Sequence, residues 1–370
     1  MSGSGSRTWK SGISTGACAA AAARAAARLL FTGEASDRET VVNPDGLAIS
    51  VPLAGTRKEP GLAEATVIKD GGDDPDVTHG LPVQAEVRPS GPGVVIRGGT
   101  GVGRVTRPGL AVPVGEAAIN PVPRRMIAEA VAEFLPTGGG VEVTISVPGG
   151  EEVAGRTANA RLGIVGGISI LGTSGLVRPM SEEAYRDSLV PQVTVAAAAG
   201  HRTLVLTPGR MGLRGAARHG LPETAVAEMG NFVGFMLDTC AEHGITSVLL
   251  WGYHGKIAKV AAGVFNTHSR VADARLETLA AYAGAAGAPA ELVRAVLGAN
   301  TAEEAAGLLV GGGFRAVFAI LAERASYRAA QYVRGRLRVG TVLLTLAGEI
   351  IGMDQGGAAV LEELGWQPSK

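Results

Sequence analysis

RTLVLTPG (202–209), GNFVGFMLDTCAEHG (230–244), ITSVLLWG (245–252) and HGKIAKVAAGVF (254–265) decide the fold of the distal half of the chain. The first and third blocks are short, apolar and closed by glycine, as strands are. The second and fourth have helix length, and the second stops at Gly244. Strand, loop, helix, strand, loop, helix predicts βαβ units, and parallel neighbours require such crossovers. Helical segments continue through 270–335, and TVLLTLAG (341–348) reads as a late strand. In sheets of this kind ligands gather at the carboxyl ends of the strands. Here those ends carry Pro208-Gly209-Arg210 and Gly252-Tyr253-His254-Gly255-Lys256.

The proximal half has a different rhythm. STGACAAAAARAAARLLFTG (14–33) predicts a helix capped by Ser14 or Thr15 and ended by Gly33. Five strand-like runs follow: ETVVN, LAISVPL, ATVIKD, VQAEVRP and GVVIRGG. Then come the helical PVPRRMIAEAVAEFL and the strand VEVTISVPGG. The expectation is an α+β N-terminal domain (11–150) followed by an α/β C-terminal domain (191–370) with a largely parallel sheet. Residues 151–190 read as a glycine-rich crossover, and 1–10 as a flexible tail.

The 370 residues suit two domains of ordinary size. Lys+Arg and Asp+Glu both number 34, so there is no basic excess of the kind nucleic-acid binding uses. No apolar run reaches the ~18 residues that span a bilayer, and MSGSGSRTWK has no hydrophobic signal core. A cytoplasmic protein without nucleic-acid or membrane partners is expected; a homo-oligomer is compatible with the sequence. Cys18 and Cys240 lie in apolar, helix-like stretches and read as buried reduced thiols more readily than as a disulfide. Glycine, at 55 residues, is about twice the ~7% that is usual, and it clusters beside the strands. That pattern fits tight backbone turns around a ligand.

KDGGDDPDVTHG (69–80) packs four aspartates and a histidine into one loop. It fails the calcium-loop template, which needs an oxygen ligand at position three and glycine at six. One histidine does not make a zinc site. On spacing alone the loop is an Asx-rich turn first and a catalytic loop second. GGTGVGRV (98–105) follows a strand, but prolines at 108 and 113 forbid the helix of a dinucleotide fingerprint. There is no Walker motif and no nucleophile elbow. The start of the first helix, at Thr15-Gly16, offers free N–H groups and is either an anion site or simply a packed helix end. His268, in FNTHSRVAD (265–273), is either a cap or a catalytic residue.

Taken in order, STGACAAAAARAA, KDGGDDPDVTHG, GGTGVGRVTRPGL, AINPVPRRMI, NARLGIVGGISILGTSGLVRPMS, MGNFVGFML and GKIAKVAAGVFNTHS resemble the cobalt-precorrin-5B C1-methyltransferase family from about residue 11 to 270. The resemblance implies transfer of a methyl group from S-adenosylmethionine to ring carbon C1 of cobalt-precorrin-5B, in anaerobic cobalamin biosynthesis. The products would be cobalt-precorrin-6A and S-adenosylhomocysteine. The cobalt belongs to the tetrapyrrole substrate, so no protein-bound metal is expected. Two other readings stay open: a metal-dependent hydrolase built on the Asp/His cluster, and a non-catalytic corrinoid carrier.

An anionic macrocycle calls for cations and backbone N–H groups. Under the resemblance, Arg104, Arg107, Arg124 and Lys256, with Thr15, Gly16 and Asn266, are expected to bind substrate. Asp70, Asp73, Asp74, Asp76, His79 and His268 are expected to form the reactive edge. His254 receives no catalytic role, and no residue is assigned to the methyl donor.

Overall fold

The computed structural model describes residues 9–366. Most of the expected N-terminal tail lies outside them. The chain divides into two compact units, one ending at Glu182 and the other beginning at Glu183. Both mix helix and sheet.

In the first unit, α1 (Thr15–Thr32) forms as its sequence predicts. The Ser14 hydroxyl accepts a hydrogen bond from the Ala17 N–H, and Gly33 closes the helix at φ +78°. Ala19 to Ala23 are completely buried. They pack on Ala63, Ala65, Val67, Val83, Ala85 and Val87 of the sheet, and on Met126, Ile127 and Val131 of α2 (Pro121–Ala132). Methyl groups on both sides bring the backbones close.

The sheet runs in the order Gly55–Glu59, Leu62–Ile68, Pro82–Ser90, Gly140–Ser146, Gly93–Gly98. All neighbours are antiparallel except the last pair. Ile68 pairs with Pro82, Gln84 with Ser146, and Gly98 with Ile145. This register puts three loops on one edge: 69–81, the stretch after 98, and the stretch after 146. The start of α1 joins them, because Ile13 N–H donates to the Asp70 carbonyl (2.7 Å).

One charged cluster is buried beside α1. Glu39, 2% exposed, accepts from Arg24 Nε (2.8 Å) and Arg28 Nε (2.9 Å). Arg24 also forks onto Glu133, and both guanidinium groups lie over the Phe134 ring.

Residues 155–181, within the expected crossover, lie in the first unit. They form turns with two-residue pairings to Val105/Arg104 and Gly12/Ile13. A helix without strong sequence signals, Glu182–Ala198, runs through the boundary expected near 190 and contains Pro191.

The second unit has strand order Val226–Glu228, Thr203–Thr207, Ser247–Tyr253, Arg338–Leu344, Ile350–Met353. The first four are parallel and the last is antiparallel. Side chains alternate between two cores. Leu204, Leu206, Val248, Leu250 and Leu343 face a layer that includes Met236, Leu237, Ile257 and Val260. Val205, Leu249, Trp251, Val342 and Leu344 face Ala216, Val360 and Leu361. Helix Arg210–Arg218, after the second strand, therefore lies on one face. Helix His254–Ala261, after the third, lies on the other. Cys18 and Cys240 are free and buried, and burial pushes both thiols up to about 12. Among the described residues no helix is long and apolar enough to cross a membrane.

Glu39→Ala would leave two half-buried guanidinium groups without their shared carboxylate. The expected loss is about 3–5 kcal/mol in urea unfolding; a loss under about 1 kcal/mol would contradict the cluster's role.

Candidate functional site

The loop edge of the first unit is stitched backbone to backbone. Gly12 crosses the 69–80 loop so closely that a Cβ would sit 2.3 Å from the Gly71 carbonyl carbon. Gly101, at φ +72°, passes Val147 with no room for a side chain: a Cβ would meet its carbonyl oxygen at 1.9 Å. Gly103 N–H donates to Ile168 O and Ile168 N–H to Gly101 O. Glycine clustering here lets five chain segments touch.

The 69–80 loop is not a loosely solvated turn. Lys69, 2% exposed, sets its Nζ 2.6 Å from Asp76 Oδ2. The other Asp76 oxygen accepts from the Thr78 N–H (2.8 Å) and hydroxyl (2.6 Å). Burial alone would push the Asp76 carboxyl up, but the bonds from Lys69 and Thr78 outweigh it and hold it below the ordinary value of 3.8. Both oxygens of Asp76, expected at the reactive edge, anchor the loop.

The remaining members stand closer to solvent. Asp70 accepts from Lys10 Nζ (2.6 Å) and Gly72 N–H (2.9 Å), and Lys10 first, then Gly72, hold its carboxyl below 3.8. Asp73 Oδ2 accepts from Lys10 N–H (2.8 Å), so Lys10 is fastened to the loop and is not tail. His79 Nδ1 accepts from Gly71 N–H (3.0 Å), which leaves Nε2 to carry the ring proton, and it lies 3.8 Å from Asp70. Asp74 Oδ1 accepts from Met180 N–H (3.1 Å). Met180 has φ +57°, a strained choice for a residue with a side chain, and its apolar side chain is 69% exposed beside Asp74.

Three expected anion binders have partners within the fold. The Thr15 hydroxyl accepts from Leu171 N–H (2.9 Å), and Gly16 N–H donates to Leu171 O (3.0 Å). The helix start thus holds the 169–175 loop, and Pro123 fills the space beside Gly16. Arg124 clamps the carbonyls of Ile119, Ala117 and Ile96 (2.9–3.4 Å) and lies 3.6 Å from Glu116. Arg104 and Arg107 are exposed: Arg104 donates to Gly115 O and Arg107 to Arg161 O (3.3 Å). Each retains further guanidinium donors.

The second unit gathers the other expected residues at the carboxyl end of its sheet. Lys256 Nζ donates to Asn231 Oδ1 (2.9 Å), and Thr267 N–H donates to Asn231 O (2.8 Å). Asn266 Oδ1 accepts from His268 N–H, and His268 Nδ1 from Arg270 N–H (both 3.1 Å). Burial lowers the Lys256 pKa, and the neighbouring Lys259 lowers it further. Buried Lys259 donates to the carbonyls of Thr267 (3.1 Å) and Ala272 (2.8 Å).

Asn231, Lys259 and Lys69 were not assigned roles from the sequence. A lysine flanked by ordinary neighbours looks like a surface residue until its burial is seen. Among the described residues no group of three or more His, Cys, Asp and Glu is placed to hold a metal ion.

Against known proteins, two family models match: CbiD over residues 2–179, and the CbiD C-terminal domain over 266–355. A relative from Moorella thermoacetica is 53% identical, over 96% of this chain and 98% of its own length. The chain belongs to the CbiD family. That relative is named a cobalt-precorrin-5B C(1)-methyltransferase. So are relatives from a Thermoanaerobacter species (47% identical, 92% of this chain, 94% of theirs) and Desulfitobacterium hafniense (46%, 98% and 94%). The crystal structure of a cobalamin biosynthesis protein (cbiD) from Archaeoglobus fulgidus is 32% identical, covering 71% of this chain and 83% of its own, at a TM-score of 0.39.

The Lys69–Asp76 pair predicts a signed pH effect. The folded Asp76 carboxyl titrates below its unfolded value, so its contribution is present above that value and is lost as pH falls through the folded one. Urea unfolding of the wild type should weaken from pH about 4 downward more steeply than that of Asp76→Asn. At neutral pH Asp76→Ala, which strands the Lys69 ammonium, should cost about 3–5 kcal/mol. Equal acid slopes in wild type and Asp76→Asn would contradict the pair.

Proposed function

We propose that this chain methylates ring carbon C1 of cobalt-precorrin-5B, using S-adenosylmethionine, to give cobalt-precorrin-6A and S-adenosylhomocysteine in cobalamin biosynthesis in the cytoplasm. The observation that carries this reading is the 53% identity, over nearly the full length of both chains, to a relative bearing that name. The reaction is an in-line displacement. The electron-rich ring carbon forms a bond to the sulfonium methyl, the carbon–sulfur bond breaks, and its electron pair stays on sulfur as the neutral thioether. Proximity and alignment supply ~7–11 kcal/mol of such a barrier. The protein's task is therefore to hold an anionic macrocycle and a cationic donor in register.

In this reading the first unit takes the macrocycle. Exposed Arg104 and Arg107 meet its carboxylates, as guanidinium forks suit. Asp70, Asp73, Asp74 and His79 form the reactive edge, and Met180 offers an apolar surface next to Asp74. Asp74, with one oxygen on a backbone N–H, takes the proton released as the ring becomes nucleophilic, while His79, exposed and bonded through Nδ1, offers its Nε2–H to the substrate. In the second unit, Lys256 and Asn266 are taken as substrate binders and His268 as a catalytic candidate.

Incubation with cobalt-precorrin-5B and methyl-labelled S-adenosylmethionine should yield a product heavier by one labelled methyl group, seen by mass analysis. Unchanged substrate with retained corrinoid binding would make the chain a carrier. In the same assay, at least one of Asp74→Ala and His79→Ala should lose on the order of 10²–10⁴ in kcat as folded protein. Full activity in both would remove the loop from the chemistry.

A further inference from the structure

The second unit carries a feature that the macrocycle does not account for. Strands Thr203–Thr207 and Ser247–Tyr253 are parallel neighbours. The helices that follow them depart to opposite faces of the sheet, as the two separate cores show. Where adjacent parallel strands part in this way, a crevice opens beyond their carboxyl ends.

Two residues face each other there. Gly209 follows the Thr203–Thr207 strand with φ +153° and ψ −168°, a region essentially closed to other residues. A Cβ on it would stand 3.6 Å from Glu228 Oε1. Glu228 is the last residue of Val226–Glu228, the strand paired on the other side of Thr203–Thr207, and it comes nineteen residues after Gly209. Its backbone is fixed from outside the sheet: Glu228 N–H donates to Gln192 Oε1 (2.9 Å), and Gln192 Nε2 donates to Glu228 O (3.4 Å).

A second, independent observation lies at the same strand ends. The Thr207 hydroxyl, last on its strand and fully buried, has no hydrogen-bond partner among the described residues. His254, first in the helix after the neighbouring strand and 1% exposed, bonds Glu303 through Nε2 (3.0 Å), while its Nδ1 has no partner among the described residues. Buried polar atoms without partners are rare and call for an explanation. Gly212 and Gly215 press helix Arg210–Arg218 onto this end of the sheet: a Cβ on Gly212 would overlap the Thr207 hydroxyl at 1.6 Å, and one on Gly215 would stand 3.3 Å from Trp251 Nε1.

A glycine turn after one parallel strand, with an acidic residue ending the next strand about 20 residues later, is the arrangement that seats a ribonucleoside: the turn admits the sugar and the carboxylate accepts from its hydroxyls. Sequence order concealed it, because Gly209, Gly212 and Gly215 are spaced G-x-x-G-x-x-G and lack the familiar fingerprint. We propose that this crevice binds the adenosine part of the methyl donor, with the Glu228 carboxylate accepting hydrogen bonds from the ribose hydroxyls over the Gly209 turn. The assignment of the nucleoside to the methyl donor rests on the methyl-transfer reading. The crevice and its carboxylate stand on the geometry of the second unit.

The test is calorimetric titration of the full chain with S-adenosylhomocysteine and with its 2′-deoxy analogue. Wild type should bind the ribose form about tenfold more tightly than the deoxy form, the worth of a hydrogen bond to a charged group. Glu228→Gln should bind S-adenosylhomocysteine about tenfold more weakly and should no longer distinguish the two ligands. Glu228→Asp, which keeps the charge but withdraws it, should fall between. Thermal melts of each variant confirm that the fold is kept. Tight binding by wild type with unchanged affinity and discrimination in both variants would overturn the site and leave the methyl-transfer reading standing. No binding of either nucleoside by wild type would overturn the choice of donor, and this site with it.

Discussion

The first unit depends on how closely α1 lies against its surroundings. A run from Ala19 to Ala23 with no exposed surface leaves only methyl groups between the helix, the sheet and α2. Interiors packed at that density tolerate added volume poorly. The helix cannot slide or roll, so its start is fixed at the loop edge of the sheet. From that fixed start Ile13 binds Asp70 and Gly16 binds Leu171, and the catalytic-looking loops inherit their positions. The buried Glu39 with its two arginines locks the same helix farther along.

A shared device runs through both units. Each uses glycine where another residue would force two backbones apart, and each does so where its strands end. At the first unit's edge the outcome is a rigid wall of crossing loops carrying aspartates and arginines. At the second unit's carboxyl edge it is a narrow turn beside one carboxylate. A methyl transfer has modest chemical demands and strict positional ones, and rigid edges of this kind suit it.

Much of this was legible in the residues. The capped alanine helix, most strands of both halves and the parallel pairing of the second sheet follow from period, caps and turns, whereas Gly55–Glu59, Val226–Glu228 and Ile350–Met353 are too short or too polar to show in the sequence. The 69–80 loop is marked out by its order in a family-like series more than by its spacing. What was not legible depended on tertiary contacts. Thr15, Gly16 and Arg124 carry the right chemistry for anions, but the fold brings carbonyls and loops onto them first. Asp76 looks like its neighbours until the buried Lys69 is placed beside it. Helix Arg210–Arg218 has glycines in its interior, which weaken any propensity signal, and those glycines are there to meet Thr207 and Trp251. Glu228 is an unremarkable acid in sequence, and only strand order sets it beside Gly209.

Under the proposals above, glycine-lined strand ends hold the reactants, with the methyl donor's nucleoside at the second sheet. Hydrogen exchange of the full chain with and without saturating S-adenosylhomocysteine tests this arrangement most directly. Exchange should slow in 207–213 and 226–232, with 69–80 unchanged. Protection confined to 69–80 and its neighbouring loops, with none at the second sheet's carboxyl edge, would contradict it.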